Sequence, residues 1–257
     1  MNILITGGSR GIGAAAVRLF RARGDSVWFL YEKRHEQAQA LSRETGAAAI
    51  CCDVAVEAQV QAAFSQLPAL DALICNAGIS MRALFDEVDL GVLKRLMDVN
   101  FWGTVYCTKY ALPYIQASRG SIVGVSSVAG FHGLPGRTGY SASKYAMTGF
   151  LETVRIENLK KGVHVMIAAP GFTASNVRFS ALTADGSAQG ESPRKEEKMM
   201  SAAEVARRIA RGVVRRKRTL AMDFNGRATV LIKKFAPGLL DRLYYSHMAK
   251  EPDSPLK

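Results

Sequence analysis

Tyr140 and Lys144 stand four residues apart in Gly139-Tyr140-Ser141-Ala142-Ser143-Lys144, a spacing that stacks a phenol and an ammonium on one face of a helix. A free tyrosine, with a reference pKa of about 10, is a poor acid near neutrality, and an adjacent cation favours its phenolate. The pair therefore has the elements of a proton donor with Lys144 as activator, although YxxxK on a helix is, by itself, more often a surface pair. Ser126-Ser127 ends the apolar run Ser121–Ser126, which places hydroxyls at the carboxyl edge of a strand, where open α/β sheets bind their ligands. Ser127 is there the candidate to bind a substrate oxygen. Asn76-Ala77-Gly78 and Pro170-Gly171 end two further apolar runs and point to the same crevice.

A second constellation lies at the start of the chain, in Thr6-Gly7-Gly8-Ser9-Arg10-Gly11-Ile12-Gly13. Glycines let a backbone bend tightly and approach a pyrophosphate, and a following helix turns its N-terminus to the anion. Gly11-x-Gly13-x-x-Ala16 alone also describes an ordinary tight turn. Its place between a first strand and a first helix is the context a dinucleotide site needs, so Gly7, Ser9, Arg10, Gly11, Ile12 and Gly13 are candidate cofactor contacts. The second apolar run ends Tyr31-Glu32-Lys33-Arg34, where the adenosine ribose is met. Glu32 suits a 2′-hydroxyl and hence NAD; Arg10, Lys33 and Arg34 suit a 2′-phosphate and hence NADP. NADP is the expected cofactor, because an acid turned outward costs little and an unpaired phosphate costs much. Asp53, with Val54 beside it, closes the third run and serves either as acceptor for the adenine amine or as a turn residue.

These residues need a scaffold that brings strand ends together. Asn2–Thr6, Ser26–Tyr31, Ala48–Asp53, Ala72–Asn76, Ser121–Ser126 and Val163–Pro170 read as strands separated by amphipathic helical stretches. Continuous apolar runs in a βαβ rhythm predict a doubly wound parallel sheet with helices on both faces. Two long helices are expected, Leu90–Ile115 ending near Pro113 and Gly139–Leu159 ending near Gly162. Residues from about 174 to 200 are polar and glycine-bearing and form a candidate lid. A basic helix, Ser201–Arg216, and a short run, Thr219–Met222, follow. A basic amphipathic extension covers about 223–257, with Leu239, Leu240, Leu243 and Tyr244 on one helical face. Core or subunit packing is the expected use of that face, and contact with a membrane surface the alternative.

The 257 residues suffice for one domain with a full core. Hydrophobic residues at 48% with 22% charged fit a globular protein, and no run approaches eighteen uninterrupted apolar residues. MNILITGG enters a strand without a basic secretory start, so a cytoplasmic setting is expected. Cys51, Cys52, Cys75 and Cys107 form no metal-ligand spacing and read as reduced core thiols. The net charge of +12 is uneven: residues 194–257 hold sixteen Lys/Arg against seven Asp/Glu. Arg215-Arg216-Lys217-Arg218 has no interleaved aromatics, and no nucleic-acid partner is expected.

Taken in order and separation, TGGSRGIG, NAG, Ser-Ser, YxxxK and PG resemble the short-chain dehydrogenase/reductase family over residues 2 to 175. The resemblance implies a Rossmann-type single domain and the interconversion of a ketone and a secondary alcohol. It implies Tyr140 as general acid, Lys144 as the group that binds the nicotinamide ribose and lowers the tyrosine pKa, and Ser127 as the group that orients the carbonyl. Asn100 would hold a water of the proton relay, unless it is simply a polar residue bending its helix. Asn76, Ala77 and Gly78 would line the cofactor's adenine-ribose side, and Thr173, after Pro170-Gly171, the carboxamide. Two departures stand out: Cys75 replaces an asparagine common in the family, and Glu32 sits among cations. Phe172, Val177, Phe179, Leu182, Phe131, His132 and Leu134 suggest an apolar pocket for a steroid or keto-lipid substrate. A homodimer or homotetramer through the two long helices is also implied. The rival reading is a non-catalytic NADP-binding sensor or scaffold.

Overall fold

The computed structural model describes residues 1–171, 173–174, 180–190, 199–250 and 254–256. Seven strands form one parallel sheet in the order β3-β2-β1-β4-β5-β6-β9. They are β1 (Asn2–Thr6), β2 (Ser26–Tyr31), β3 (Ala48–Cys51), β4 (Ala72–Cys75), β5 (Ser121–Val125), β6 (His164–Ala169) and β9 (Thr219–Ala221). A two-residue pair, β7 (Thr173–Ala174) and β8 (Met200–Ser201), lies outside it. The chain moves outward from β1 to β3, then returns to place β4 on the other side of β1, with Ile5 beside Ile74. That reversal opens a crevice above the carboxyl ends of β1 and β4.

Alternation along the strands explains the two cores. Ile3 and Ile5 pack on one face with α1 (Gly11–Ala22) and α7 (Ala202–Val214). Leu4, Leu73 and Ile122 pack on the other with α3 (Glu57–Phe64), α5 (Gly103–Ser118) and α6 (Thr138–Glu157). Successive strand residues point to opposite faces, so a strand covered on both faces must be apolar, as β4 is throughout and β6 is from Val165 on. The remaining helices are α2 (His35–Thr45), α4 (Leu90–Met97), α8 (Phe224–Phe235) and α9 (Pro237–Ala249).

Three expectations are corrected. The helix expected to end near Pro113 is α4, then a π-helical turn at Asp98–Trp102, then α5, which runs through Pro113 to Ser118. The ring of Pro113 is on the solvent side, while Ala111 and Ile115 anchor the helix in the core on either side of it. Cys51 is exposed rather than a core thiol, because β3 is the sheet's edge; Cys52, Cys75 and Cys107 are buried. On α9, Leu240 is buried and Tyr244 half-buried, whereas Leu239 and Leu243 face outward. The apolar face is thus split between packing and surface. Among the described residues no helix is long and apolar enough to cross a membrane.

Candidate active site

Thr6, the last residue of β1, accepts hydrogen bonds through Oγ1 from the backbone N–H groups of Asn76 (3.0 Å) and Ala77 (2.8 Å). Asn76 returns two, its Nδ2 donating to Thr6 O (3.0 Å) and Gly7 O (3.1 Å). Four bonds therefore lock the glycine turn against the end of β4. Gly7 takes φ +64, a region open to glycine. A Cβ at Gly13 would collide with the Gly7 carbonyl, so Gly13 serves close packing behind the turn and is not in the cleft wall. Gly7, Ser9, Arg10, Gly11 and Ile12 do line the cleft, which encloses about 720 Å³.

At the adenosine end the wall includes Tyr31, Glu32, Lys33, Arg34, Asp53 and Val54. Lys33 Nζ pairs with Glu32 at 2.7 Å, both side chains exposed. Arg10 donates to Ser180 Oγ at 3.1 Å, and its pKa is lowered by burial and then by the charge of Arg34. Two cations that repel one another are poised for an anion. Asp53 Oδ1 accepts from Ala55 N at 2.9 Å, so it is a turn residue as well as part of the wall.

At the other end Tyr140, Lys144, Ser127, Asn76, Ala77, Gly78, Pro170, Gly171 and Thr173 converge on the same cleft. Ser127 caps a 3₁₀ turn at Val128–Gly130 through Ala129 N (3.2 Å) and lies beside the Tyr140 phenol on the cleft wall. Loss of solvent pushes the phenol's pKa up; the Ser127 side chain and the nearby Arg137 charge pull it down. Lys144 is buried, and desolvation brings its ammonium down to about 8. Its Nζ donates to Val125 O at 2.9 Å and stands 5.9 Å from the Tyr140 ring centre. Lys144 Nζ thus lies over the Tyr140 ring while bonded to Val125 O, and the nearby charge of Arg137 also favours the phenolate.

Asn100 is fully buried in the π-helical turn. Its Oδ1 accepts from Ile79 N (2.8 Å), and its Nδ2 donates to Ile79 O (3.0 Å) and Ser143 Oγ (2.9 Å). Ser143 lies between Tyr140 and Lys144 in the chain, so Asn100 ties the strand-end loop to that stretch of α6. It lies behind the cleft wall. Gly78 permits this packing: a Cβ there would stand 3.0 Å from Asn100 Oδ1 and 3.4 Å from Lys144 Nζ. Asp223 plays a comparable part at Gly171, where its carboxylate occupies the space of a Cβ while capping α8 through Gly226 N.

Of the expected substrate contacts, Leu134 and Leu182 line the cleft. Phe131 packs against the core, and Phe172, Val177 and Phe179 lie outside the described residues. His132 belongs to a separate cavity, within 3.4 Å of Asp241 and stacked near Tyr244. Sequence reading missed Thr6, Ser80, Arg95, Val99 and Arg137. Arg137 carried a usable signal, three residues before the tyrosine at the start of its helix.

A glycine turn at the reversal of strand order, facing a Tyr/Lys/Ser set across one cleft, defines a nicotinamide-dinucleotide oxidoreductase. The short chain dehydrogenase family model matches residues 1–185. Dehydrogenase/reductase SDR family member 7B of Mus musculus is 32% identical over 267 residues, covering 98% of this chain and 82% of its own. The 11-beta-hydroxysteroid dehydrogenase 1A of Arabidopsis thaliana is 31% identical over 265 residues, covering 95% of this chain and 75% of its own. A short-chain dehydrogenase from Streptomyces avermitilis shares the fold with TM-score 0.78 at 23% identity, over 97% of this chain and 96% of that one. BdcA in complex with NADPH aligns with TM-score 0.72 at 27% identity, over 85% and 92%. The chain belongs to the short-chain dehydrogenase/reductase family and is an NAD(P)-binding oxidoreductase acting on the CH–OH/C=O pair.

Lys144 is charged below about pH 8 and neutral above it. Dinucleotide binding by the free enzyme is therefore expected to weaken as pH rises through that value, if the ammonium binds the ribose. Calorimetric titration at about pH 7 and about pH 9 should show this loss for the natural chain and a flat response for Lys144→Met. Equal affinity at both pH values in the natural chain would contradict the role.

Proposed function

We propose that this enzyme is an NADP(H)-dependent reductase that interconverts a bulky apolar ketone and its secondary alcohol, with Tyr140 as general acid and base. The observation that carries the reading is the convergence of Tyr140, Ser127 and the buried Lys144 on one cleft. The elevated pKa of Tyr140 keeps its proton in place near neutrality, the state needed to protonate an alkoxide as it forms. Ser127 holds the carbonyl oxygen against the phenol, fixing the distance over which the proton moves. The dinucleotide would be held by the glycine turn, Asn76 and Lys144, and when bound it supplies the hydride. The residues fit such a group: bare backbone lines the cleft at Gly7, Gly11 and Gly78, and cations face one end.

Preference for NADP rests on Arg10 and Arg34, with Glu32 already paired to Lys33. The apolar substrate class rests on Val99, Leu134 and Leu182 in the wall and on the steroid dehydrogenase named among the relatives. A ketone-reduction assay by nicotinamide absorbance, with NADPH and NADH run separately against steroids, keto-lipids and small ketones, checks both. NADPH should be favoured, Arg34→Ala should raise the KM for NADPH roughly tenfold with little change for NADH, and bulky ketones should turn over fastest. Binding of NADPH without turnover across the panel would instead favour the sensor reading.

Assembly through α5 and α6 is part of the same proposal, supported by Trp102 just before α5, Ile156 in the last turn of α6 and Leu159 just past it, all exposed. Sedimentation should then give a dimer or tetramer that Ile156→Glu and Trp102→Glu together shift toward monomer. A wild-type chain that sediments as a monomer at micromolar concentration would remove this part.

A further inference from the structure

Arg137 caps the start of α6, three residues before Tyr140, and is only 7% exposed. Withdrawing a guanidinium from water is expensive unless its donors are well used. Its Nη1 donates to Ser80 Oγ at 2.9 Å and to Met81 O at 3.1 Å. Ser80 and Met81 belong to the stretch on which the cleft's roof is built. Leu182 N donates to Ser80 O (2.8 Å), Arg82 N donates to Leu182 O (2.8 Å), and Met81 bridges Leu182 in parallel register. The same stretch is joined to the approach to α6 by Ala83 N donating to Gly136 O (3.1 Å). Ser80, Arg137, Tyr140 and Leu182 all line one cleft. A single side chain therefore connects the roof, the loop after β4 and the helix that carries the phenol.

We propose that Arg137 is a positioning residue for the reaction: through Ser80 and Met81 it keeps the substrate roof in register with Tyr140, and it sets a permanent cation beside that phenol. The proposal rests on the reading of Tyr140 as the acid and base. Other ionisable groups around the phenol are accounted for differently. Lys144, on the same helix, lies over the Tyr140 ring and spends a donor on Val125 O. Cys75 of β4 is kept protonated by burial, its pKa pushed up to about 12. Arg95 of α4 is exposed on the cleft wall. Glu32 and Asp53 stand at the adenosine end, and Asp241 of α9 faces His132 in the separate cavity. Among the described residues, Arg137 at the start of α6 adds a positive charge in the sense that favours the Tyr140 phenolate.

Two functions can be separated with Arg137→Gln, Arg137→Lys and Ser80→Ala in the full chain, assayed with NADPH and the best ketone, and with NADP⁺ and its alcohol. Arg137→Gln should raise the ketone KM about tenfold, leave the NADPH KM within about twofold, and move the acid limb of alcohol oxidation up by roughly one pH unit. The sign follows from the charge: losing a cation makes the phenol harder to ionise, so the base appears at higher pH. Arg137→Lys keeps the charge and should raise the KM without moving the limb; Ser80→Ala should do the same. Hydrogen exchange supplies a readout independent of turnover, with the Leu182 and Arg82 amides exchanging faster in Arg137→Gln while β4 amides stay protected. Unchanged limb position and unchanged roof exchange in Arg137→Gln would overturn the proposal. A wild-type chain that turns over no ketone would instead sink the catalytic reading on which it rests, and the exchange result would still decide the clasp.

Discussion

The four hydrogen bonds between Thr6, Gly7, Asn76 and Ala77 are the constraint on which the site depends. They join the ends of β1 and β4 at the point where strand order reverses, so the two halves of the sheet cannot splay and the glycine turn cannot lift. With that corner fixed, α1 starts in the cleft wall, Gly78 comes close to Asn100 and Lys144, and the loop after β4 lies where Arg137 can grip it. Each of those contacts uses main-chain groups or buried polar atoms, which are costly to leave unpaired. The geometry of the site is therefore held by hydrogen bonding at a strand edge, on a two-faced apolar core.

Charge is distributed along the cleft in the same economical way. Arg10 and Arg34 face one another at the adenosine end, Glu32 is committed to Lys33, and Lys144 is buried at the centre, where desolvation has brought it near the point of losing its proton. Tyr140 feels the opposing pulls of burial, which holds its proton, and of Ser127 and Arg137, which ease its release. Under the proposed role Tyr140 would give its proton in one direction and take it back in the other.

The strands and the glycine turn were legible because both-face burial writes long apolar runs, and because a turn that approaches a ligand must be glycine. Tyr140, Lys144 and Ser127 were legible as motifs, and their convergence followed once the strand ends were placed on one edge. What escaped were facts of tertiary context. Asp241 lies more than a hundred residues from His132, so no local pattern announced their contact. Pro113 read as a helix stop because its missing N–H is visible in sequence, whereas the buried Ala111 and Ile115 that carry the helix past it act only in the fold. Cys51 read as core because its neighbours are apolar, but the edge position of β3 exposes it. The orientation of the Lys144 ammonium toward Val125 O depends on a strand nineteen residues earlier, which spacing on a helix cannot report.

The account stands most directly on the Tyr140 hydroxyl. Kinetics of Tyr140→Phe, with NADPH affinity measured on the same preparation, isolate it, because phenylalanine keeps the ring and removes only the proton donor. A loss of roughly a thousandfold or more in kcat with cofactor affinity within about threefold is the predicted result. Turnover within about tenfold of the natural chain would contradict proton transfer from Tyr140 and with it the mechanism.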